Sequence, residues 1–315
     1  MCRIYKLIQE YSIKQHEVCY ALDINQELNM LAISCNKSIN IFEFRNFKLN
    51  LLQILIEHTN LVFCLSFMKK SNQLISCGNN QIIIWQINEY KQLICKQKLE
   101  GHANVVRCVL YNNTEDLIIS GSDDMKIKFW HISQEWYCRQ TIEDHTKSVL
   151  ALSLNEQQNK LISCSHDKQI LLSEISEQTK KWTVKQKINL EQYGFRLCFI
   201  NNDIFTFQPN NIEQMYIFEI QNEKIVKKSE LNIFCGYDNY SLFPQKYIQA
   251  KGLLISKNGC YVHIIKFEDN NLFTLKQSIN FGTQILYGIV SDDGNYLITW
   301  DQISKQVQVR KQIEI

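Results

Sequence analysis

"GHANVVRCVLYNNTEDLIISGSDDMKIKFW", residues 101–130, decides how this chain is read. It holds His102, Ser120 and Asp124, the three residue types that a hydrolase uses for nucleophilic catalysis. The rest of the chain shows that they are copies. His16, His58, His102 and His145 are spaced by 42, 44 and 43 residues, and each is followed 18 residues later by Ser34, Ser76, Ser120 or Ser163. Asp124 and Asp167 stand four after their serines, and Asn36 and Asn79 take the Asp place in the earlier copies. An active site is normally built once, whereas a feature repeated at a fixed period is architecture.

Downstream of each Ser lies a polar turn and an apolar run ending in a large side chain at Phe42, Trp85 and Trp130, with Ser173 in that place in the fourth copy. Segments such as "VVRCVLY", "DLIIS", "KIKFW" and "WYCRQTI" are apolar runs separated by Asn, Asp, Gly and Ser, which predicts four strands per unit and no helix. With ten glycines and two prolines, Asn, Asp and Ser are expected to build most turns. The second half keeps the rhythm: Phe218 follows Ser173 by 45 residues, Ile264 and Val309 are again 45 apart, and Asn258-Gly259 marks a hairpin. Thr299 occupies the Ser place of the last unit, with Phe281 instead of His 18 residues before it. Seven units of about 44 residues fill the chain. The later ones lack the His and are expected to rely on apolar packing.

With repeats of this length, four strands each, Gly-His near the start and Trp near the end, the chain resembles the WD40-repeat β-propellers. The resemblance implies an all-β, seven-bladed WD40 β-propeller with four-stranded blades, a single domain over residues 1–315. Strong repeats span 12–175 and degenerate ones 176–315. In such propellers an N-terminal strand completes the last blade. Here the last unit stops after its third strand, "QVQVRKQ", so residues 3–11, "RIYKLIQEY", are expected to pair with it. The literal Trp300-Asp301 dipeptide falls by register in a second strand and is a decoy. The resemblance also implies that His102, Ser120, Asp124 and Trp130 form one buried hydrogen-bond network, with His145, Ser163 and Asp167, His58, Ser76 and Trp85, and His16 and Ser34 as its counterparts.

Charge and composition narrow the function classes. Lys plus Arg number 34 against 32 Asp plus Glu, and a net charge of +2 gives no electrostatic reason to expect nucleic acid or an anionic membrane. No stretch approaches the ~18 apolar residues of a membrane span, and the N-terminus lacks the apolar core of a signal peptide. A cytoplasmic, and also nuclear, location is expected. Twelve cysteines include no C-x-x-C pair, and Cys35, Cys77 and Cys164 each follow the repeat Ser. They read as small buried side chains in free form, with no metal and no cofactor.

Such propellers act as non-catalytic scaffolds, and in the family the contact residues stand three and five positions after the repeat His, flanking a buried one. Val62, Val106 and Val149 are the expected buried set. Leu61 and Phe63, Val105 and Arg107, Ser148 and Leu150, and Tyr193 and Phe195 are the expected partner-binding pairs. The partner is another protein, peptide or domain, and the chain is expected to be a monomer within a larger complex. The segments "QLICKQKLEGH" and "EWYCRQTIEDH" are similar to those of the WD40 subunit that targets cytosolic iron–sulfur clusters, in which the propeller is an adaptor. A ubiquitin-ligase substrate receptor, a signalling scaffold and the non-catalytic partner of an RNA-modifying enzyme are alternatives. A hydrolase using His166 at the channel mouth is the alternative of another class.

Overall fold

The computed structural model describes residues 3–45, 48–238, 242–268 and 271–314. The described residues form seven four-stranded antiparallel sheets, the blades of a seven-bladed β-propeller, and contain no α-helix. The N-terminal strand β1 (Arg3–Lys14) belongs to the last blade. Blade 1 is β2 (Leu22–Ile24), β3 (Met30–Cys35), β4 (Ser38–Arg45) and β5 (Lys48–Leu55). Blade 2 is β6 (Cys64–Phe67), β7 (Leu74–Cys77), β8 (Gln81–Ile87) and β9 (Leu93–Glu100). Blade 3 is β10 (Val106–Tyr111), β11 (Leu117–Ser122), β12 (Ile127–Ile132) and β13 (Trp136–Ile142). Blade 4 is β14 (Val149–Leu154), β15 (Lys160–Ser165), β16 (Gln169–Ile175) and β17 (Trp182–Asn189). Blade 5 is β18 (Gly194–Phe199), β19 (Ile204–Pro209), β20 (Gln214–Gln221) and β21 (Lys224–Asn232). Blade 6 is β22 (Lys246–Ile248), β23 (Leu253–Asn258), β24 (Tyr261–Phe267) and β25 (Phe273–Asn280). Blade 7 is β26 (Leu286–Val290), β27 (Tyr296–Asp301), β28 (Gln306–Glu314) and β1.

The chain divides into two compact units, Met1–Val106 with Phe281–Ile315, and Arg107–Asn280. In the first, β1 pairs antiparallel with β28 from Arg3 opposite Glu314 to Lys14 opposite Gln306, longer than the segment 3–11 expected. That pairing supplies the fourth strand the last repeat lacks and gives β28 a ladder partner on its open side. Trp300 and Asp301 end β27, a second strand, where Asp301 caps a turn by accepting from Ile303 and Ser304 N–H.

Burial follows the strand order. The third strand β8, "QIIIWQI", is apolar on both faces and Ile82 to Trp85 are all buried, while the fourth strand β9, "LICKQKLE", alternates and turns its lysines to solvent. In the first unit Ala32, Ile41, Val62, Phe67, Ile83 and Trp85 share one cluster between the faces of blades 1 and 2. In the second unit Ile119, Phe129, Val149 and Trp182 join blades 3 and 4, and the Trp182 ring stacks on Phe129 at 5.5 Å. Phe195, Phe205, Phe207 and Phe218 dominate the next cluster. Each such side chain contributes about 1.5–3 kcal/mol by leaving water.

The turns show how Asn does without glycine. Asn25, Asn112 and Asn155 each accept two backbone N–H groups through Oδ1, four and five residues on. The left-handed residue of each turn is another one, Leu28, Glu115 or Gln158, at φ 55°, 61° and 61°. The side-chain amide thus holds the loop closed and offsets the strain of a positive φ at an ordinary residue.

Candidate protein-interaction surface

The repeated histidines build the frame on which the candidate surface stands. In blade 2, His58 Nε2 lies 2.6 Å from Ser76 Oγ, and Trp85 Nε1 donates to the same hydroxyl at 2.7 Å. All three are buried, and burial, with Lys98 adding to it, pushes the His58 imidazole down to about 4. Gly78 is required beside it, because a Cβ there would lie 2.8 Å from His58 Nδ1 and 3.2 Å from Leu61 O. In blade 4, His145 Nδ1 lies 2.8 Å from Asp167 Oδ2 and Nε2 lies 2.8 Å from Ser163 Oγ. A carboxylate only accepts, so Nδ1 carries the hydrogen. Asp167 Oδ2 also accepts from Thr146 N–H, and although burial acts to raise its pKa, these bonds hold the carboxyl below the usual range. In blade 3, Trp130 Nε1 donates to Ser120 Oγ at 2.8 Å, Asp124 Oδ1 accepts from Lys126 N–H, and His102 is buried.

Blade 1 departs from the expectation. His16 is exposed, and the hydroxyl of the buried Ser34 instead accepts from Ala21 N–H at 2.8 Å. Phe42 stands where blade 2 has Trp85, so no indole N–H has to be satisfied there.

Blades 5 to 7 also correct the sequence reading, because they replace the missing histidines with other polar groups rather than with apolar packing alone. Gln245 bridges two Ser-place residues, accepting from Thr206 Oγ1 at 2.9 Å and donating to Ser256 Oγ at 2.9 Å. In blade 7 Arg310 donates to Thr299 Oγ1 at 3.0 Å and lies over the Phe281 ring. Arg196, Asp238 and Lys257 form a buried triad, each carboxylate oxygen accepting from one cation at 2.8 Å.

The cysteines follow a similar split. Cys35, Cys77 and Cys164 are buried, whereas Cys138 is exposed on its outer strand and Cys95 is half-buried. The cysteines of the described residues are free thiols.

At the strand entries, Val62, Val106 and Val149 are fully buried. In the first unit Leu61 and Phe63 are half-buried, and Phe63 meets Tyr20 at 5.4 Å, which in turn meets Tyr287. Val105 is half-buried, its N–H donating to Asn104 Oδ1. In the second unit Arg107 is clamped by Asp123, with Nε 3.0 Å from both carboxylate oxygens and Nη2 2.6 Å from Oδ2. Asp123 has no counterpart in the other repeats, so periodicity did not reveal it. Ser148 is half-buried, and its carbonyl accepts from His166 N–H. Tyr193 is half-buried, and its hydroxyl accepts from Asn210 Nδ2 at 2.9 Å.

Leu150 and Phe195, expected at the surface, are 3% and 5% exposed within one apolar cluster. The reason is a register shift after Val149 and another after Gly194: the ladders skip Leu150 and Phe195, and the alternation that would turn them outward fails.

The His166 ring sits edge-on to Tyr193 at 4.8 Å and to Phe195 at 5.8 Å. Burial lowers its pKa, Asp123 and Asp167 oppose that, and Arg107 and Lys147 add to it. The neighbouring Asp167 is engaged with His145 rather than His166. Arg107, Asp123, His166 and Tyr193 are thus charged and aromatic groups in one neighbourhood, a composition suited to gripping a peptide.

The family described as WD domain, G-beta repeat matches residues 49–86, 93–131 and 136–172. Each match takes the outer strand of one blade and the first three of the next, so the sequence unit is offset from the structural one. Residues 49–172 of the chain carry WD40 repeats. The described residues complete all seven blades although the matches cover three repeats. No curated protein matches it. Among the described residues no helix is long and apolar enough to cross a membrane, and no three His, Cys, Asp or Glu side chains are grouped to hold a metal.

Proposed function

We propose that the protein is a non-catalytic adaptor that binds a segment of another protein at the strand entries of its second unit, around Arg107, His166 and Tyr193. WD40 propellers are typically interaction scaffolds. The observation that carries the reading is the Arg107–Asp123 clamp, which fixes a partly exposed guanidinium within electrostatic reach of His166, whose ring meets Tyr193 edge-on. A guanidinium already oriented by one carboxylate loses little entropy when a peptide carbonyl or carboxylate meets its remaining N–H groups, and aromatic edges add apolar contact. The partner is a protein, not nucleic acid, in keeping with the net charge of +2.

Within that class, the similarity of residues 92–102 and 135–145 to the iron–sulfur targeting subunit favours a cytoplasmic adaptor in iron–sulfur protein assembly. Both segments are outer strands with the loops that follow them, placed to meet a partner from outside. A photo-activatable cross-linker at Ser148 is expected to capture a protein partner in cells, and the same group at Lys228 on β21 is not. Equal capture at both positions would contradict this placement.

A further inference from the structure

We propose that Cys64 and Cys77 are a redox modification site, a thiol pair that hydrogen peroxide converts to a reversible disulfide across β6 and β7. Cys64 is the first residue of β6 and Cys77 the last of β7, and the antiparallel ladder sets them directly opposite each other. Residues opposite in such a ladder have Cα atoms about 4.5–5.5 Å apart, inside the range that a disulfide spans. Leu65, Phe67 and Leu74 fill the apolar cluster shared with blade 1, so alternation turns both cysteines to the other face. At the end of a ladder the chain has room to close the remaining gap between the sulfurs.

Blade 3 shows how close the two places come. Cys108 stands 44 residues after Cys64, and Gly121 stands 44 after Cys77. Cys108 Sγ lies 3.9 Å from Gly121 O, and a Cβ added to Gly121 would lie 2.8 Å from that sulfur. Across a disulfide each sulfur lies about 3 Å from the partner's Cβ. Blade 2 keeps the sulfur and supplies the Cβ, as Cys77. Of the four repeats that carry the His, it alone has cysteine at both places: blade 1 has Leu22 and Cys35, and blade 4 has Ala151 opposite Cys164.

Burial sets the order of events. Cys64 is half-buried and Cys77 is fully buried, so Cys64 meets the oxidant and Cys77 resolves the product. The Cys64 thiolate attacks one peroxide oxygen: an S–O bond forms, the O–O bond breaks, and the thiol's proton leaves in a water molecule. Cys77 then attacks the sulfenic sulfur: the S–S bond forms, the S–O bond breaks, and the Cys77 proton leaves in a second water. The two thiols lose two electrons and the peroxide gains them. Phe63 N–H donates to the Cys77 carbonyl at 2.8 Å, so the disulfide fixes the strand entry that bears Phe63 to the end of β7, and a thiol reductant releases it.

Peptide mass mapping of the intact protein, treated folded with a small molar excess of hydrogen peroxide and then alkylated, tests the proposal. Lys48, Lys69, Lys70 and Lys91 let trypsin place Cys64 and Cys77 on separate peptides, residues 49–69 and 71–91, with no other cysteine in either. The wild type is expected to yield the two peptides joined, lighter than their sum by two hydrogens, and to yield them apart after dithiothreitol. Cys77→Ala is expected to hold Cys64 as a sulfenic acid that dimedone labels, whereas the wild type is not labelled there. Cys64→Ala is expected to leave Cys77 an unreacted thiol. Gly121 and Ala151 are the small residues at these places in blades 3 and 4, so both variants are expected to keep the wild-type circular dichroism spectrum. A wild-type Cys64 that stays a thiol, a bond from Cys64 to a different cysteine, a link that forms in urea but not in the folded protein, or no dimedone label in Cys77→Ala would each overturn the proposal.

Discussion

The side chain of Gln53 and the backbone of Leu93 exchange two hydrogen bonds: Nε2 donates to the Leu93 carbonyl at 2.8 Å, and Leu93 N–H donates to Oε1 at 2.9 Å. Gln140 does the same to Trp182, at 2.5 and 2.9 Å, and Gln186 Oε1 accepts from Ile225 N–H at 2.9 Å. Each amide ties the outer strand of one blade to the first residues of the outer strand in the next, as a rung of backbone-like pairing between sheets whose ladders do not touch. Gln140→Ala is expected to cost about 1–3 kcal/mol, because it leaves an N–H and a carbonyl of Trp182 without a partner. Equilibrium urea unfolding would show it as a lowered midpoint at constant slope.

Acid sensitivity should come from the buried imidazoles. His58 and His263 are both pushed down to about 4 by burial, so each stays neutral in the fold while the unfolded chain takes up a proton near pH 6.5. The unfolded state therefore binds more protons between these values, and stability is lost as pH falls through that window, by about 3 kcal/mol for a shift of this size. His58→Gln, which keeps a polar group beside Ser76, is expected to lower stability at pH 7 but to flatten the loss between pH 6.5 and 4. A wild-type stability unchanged across that window would show that the imidazole titrates in place.

Gly78 is held by contact rather than by conformation. Its missing Cβ leaves room for the His58 ring, so Gly78→Ala is expected to destabilise by about 1–3 kcal/mol through overpacking. Thermal unfolding monitored by Trp fluorescence is a direct check, since Trp85 shares the same serine.

The buried triad separates two substitutions sharply. Asp238→Asn leaves Arg196 and Lys257 as uncompensated buried cations and is expected to cost about 3–5 kcal/mol. Lys257→Met leaves a balanced Arg196–Asp238 pair and is expected to be neutral or stabilising. Burial, with Arg196 adding to it, brings the Lys257 amine down to about 8, so the folded state sheds that proton before the unfolded one does. Stability should then rise as pH climbs from 8 towards 10.5, and that rise should vanish in the Met variant.

The architecture was legible because the His and Ser letters recur at a fixed period, and in blades 2 and 4 the pairs His58–Ser76 and His145–Ser163 sit in buried networks. Phe218, Ile264 and Val309 kept the count through the degenerate half, and all three fall in third strands. The Gln rungs were present in the same spacing and went unread, since a Gln on an outer strand looks like any solvated residue until its partner is known. Asp238 and Gln245 could not be read at all: they lie between β21 and β22, outside the repeat, and act on residues 42 and 39 positions away. Leu150 and Phe195 were misplaced because strict alternation was assumed where the chain bulges, and a bulge leaves no mark in hydrophobic pattern.

Affinity purification with the wild type and an Arg107→Glu, Tyr193→Ala double variant tests the central claim most directly. Arg107 and Tyr193 are half-buried at the strand entries of the second unit, so the variant is expected to keep its fold while losing the protein partners that the wild type retains. Identical partner sets from the two proteins would contradict an adaptor that binds through this surface.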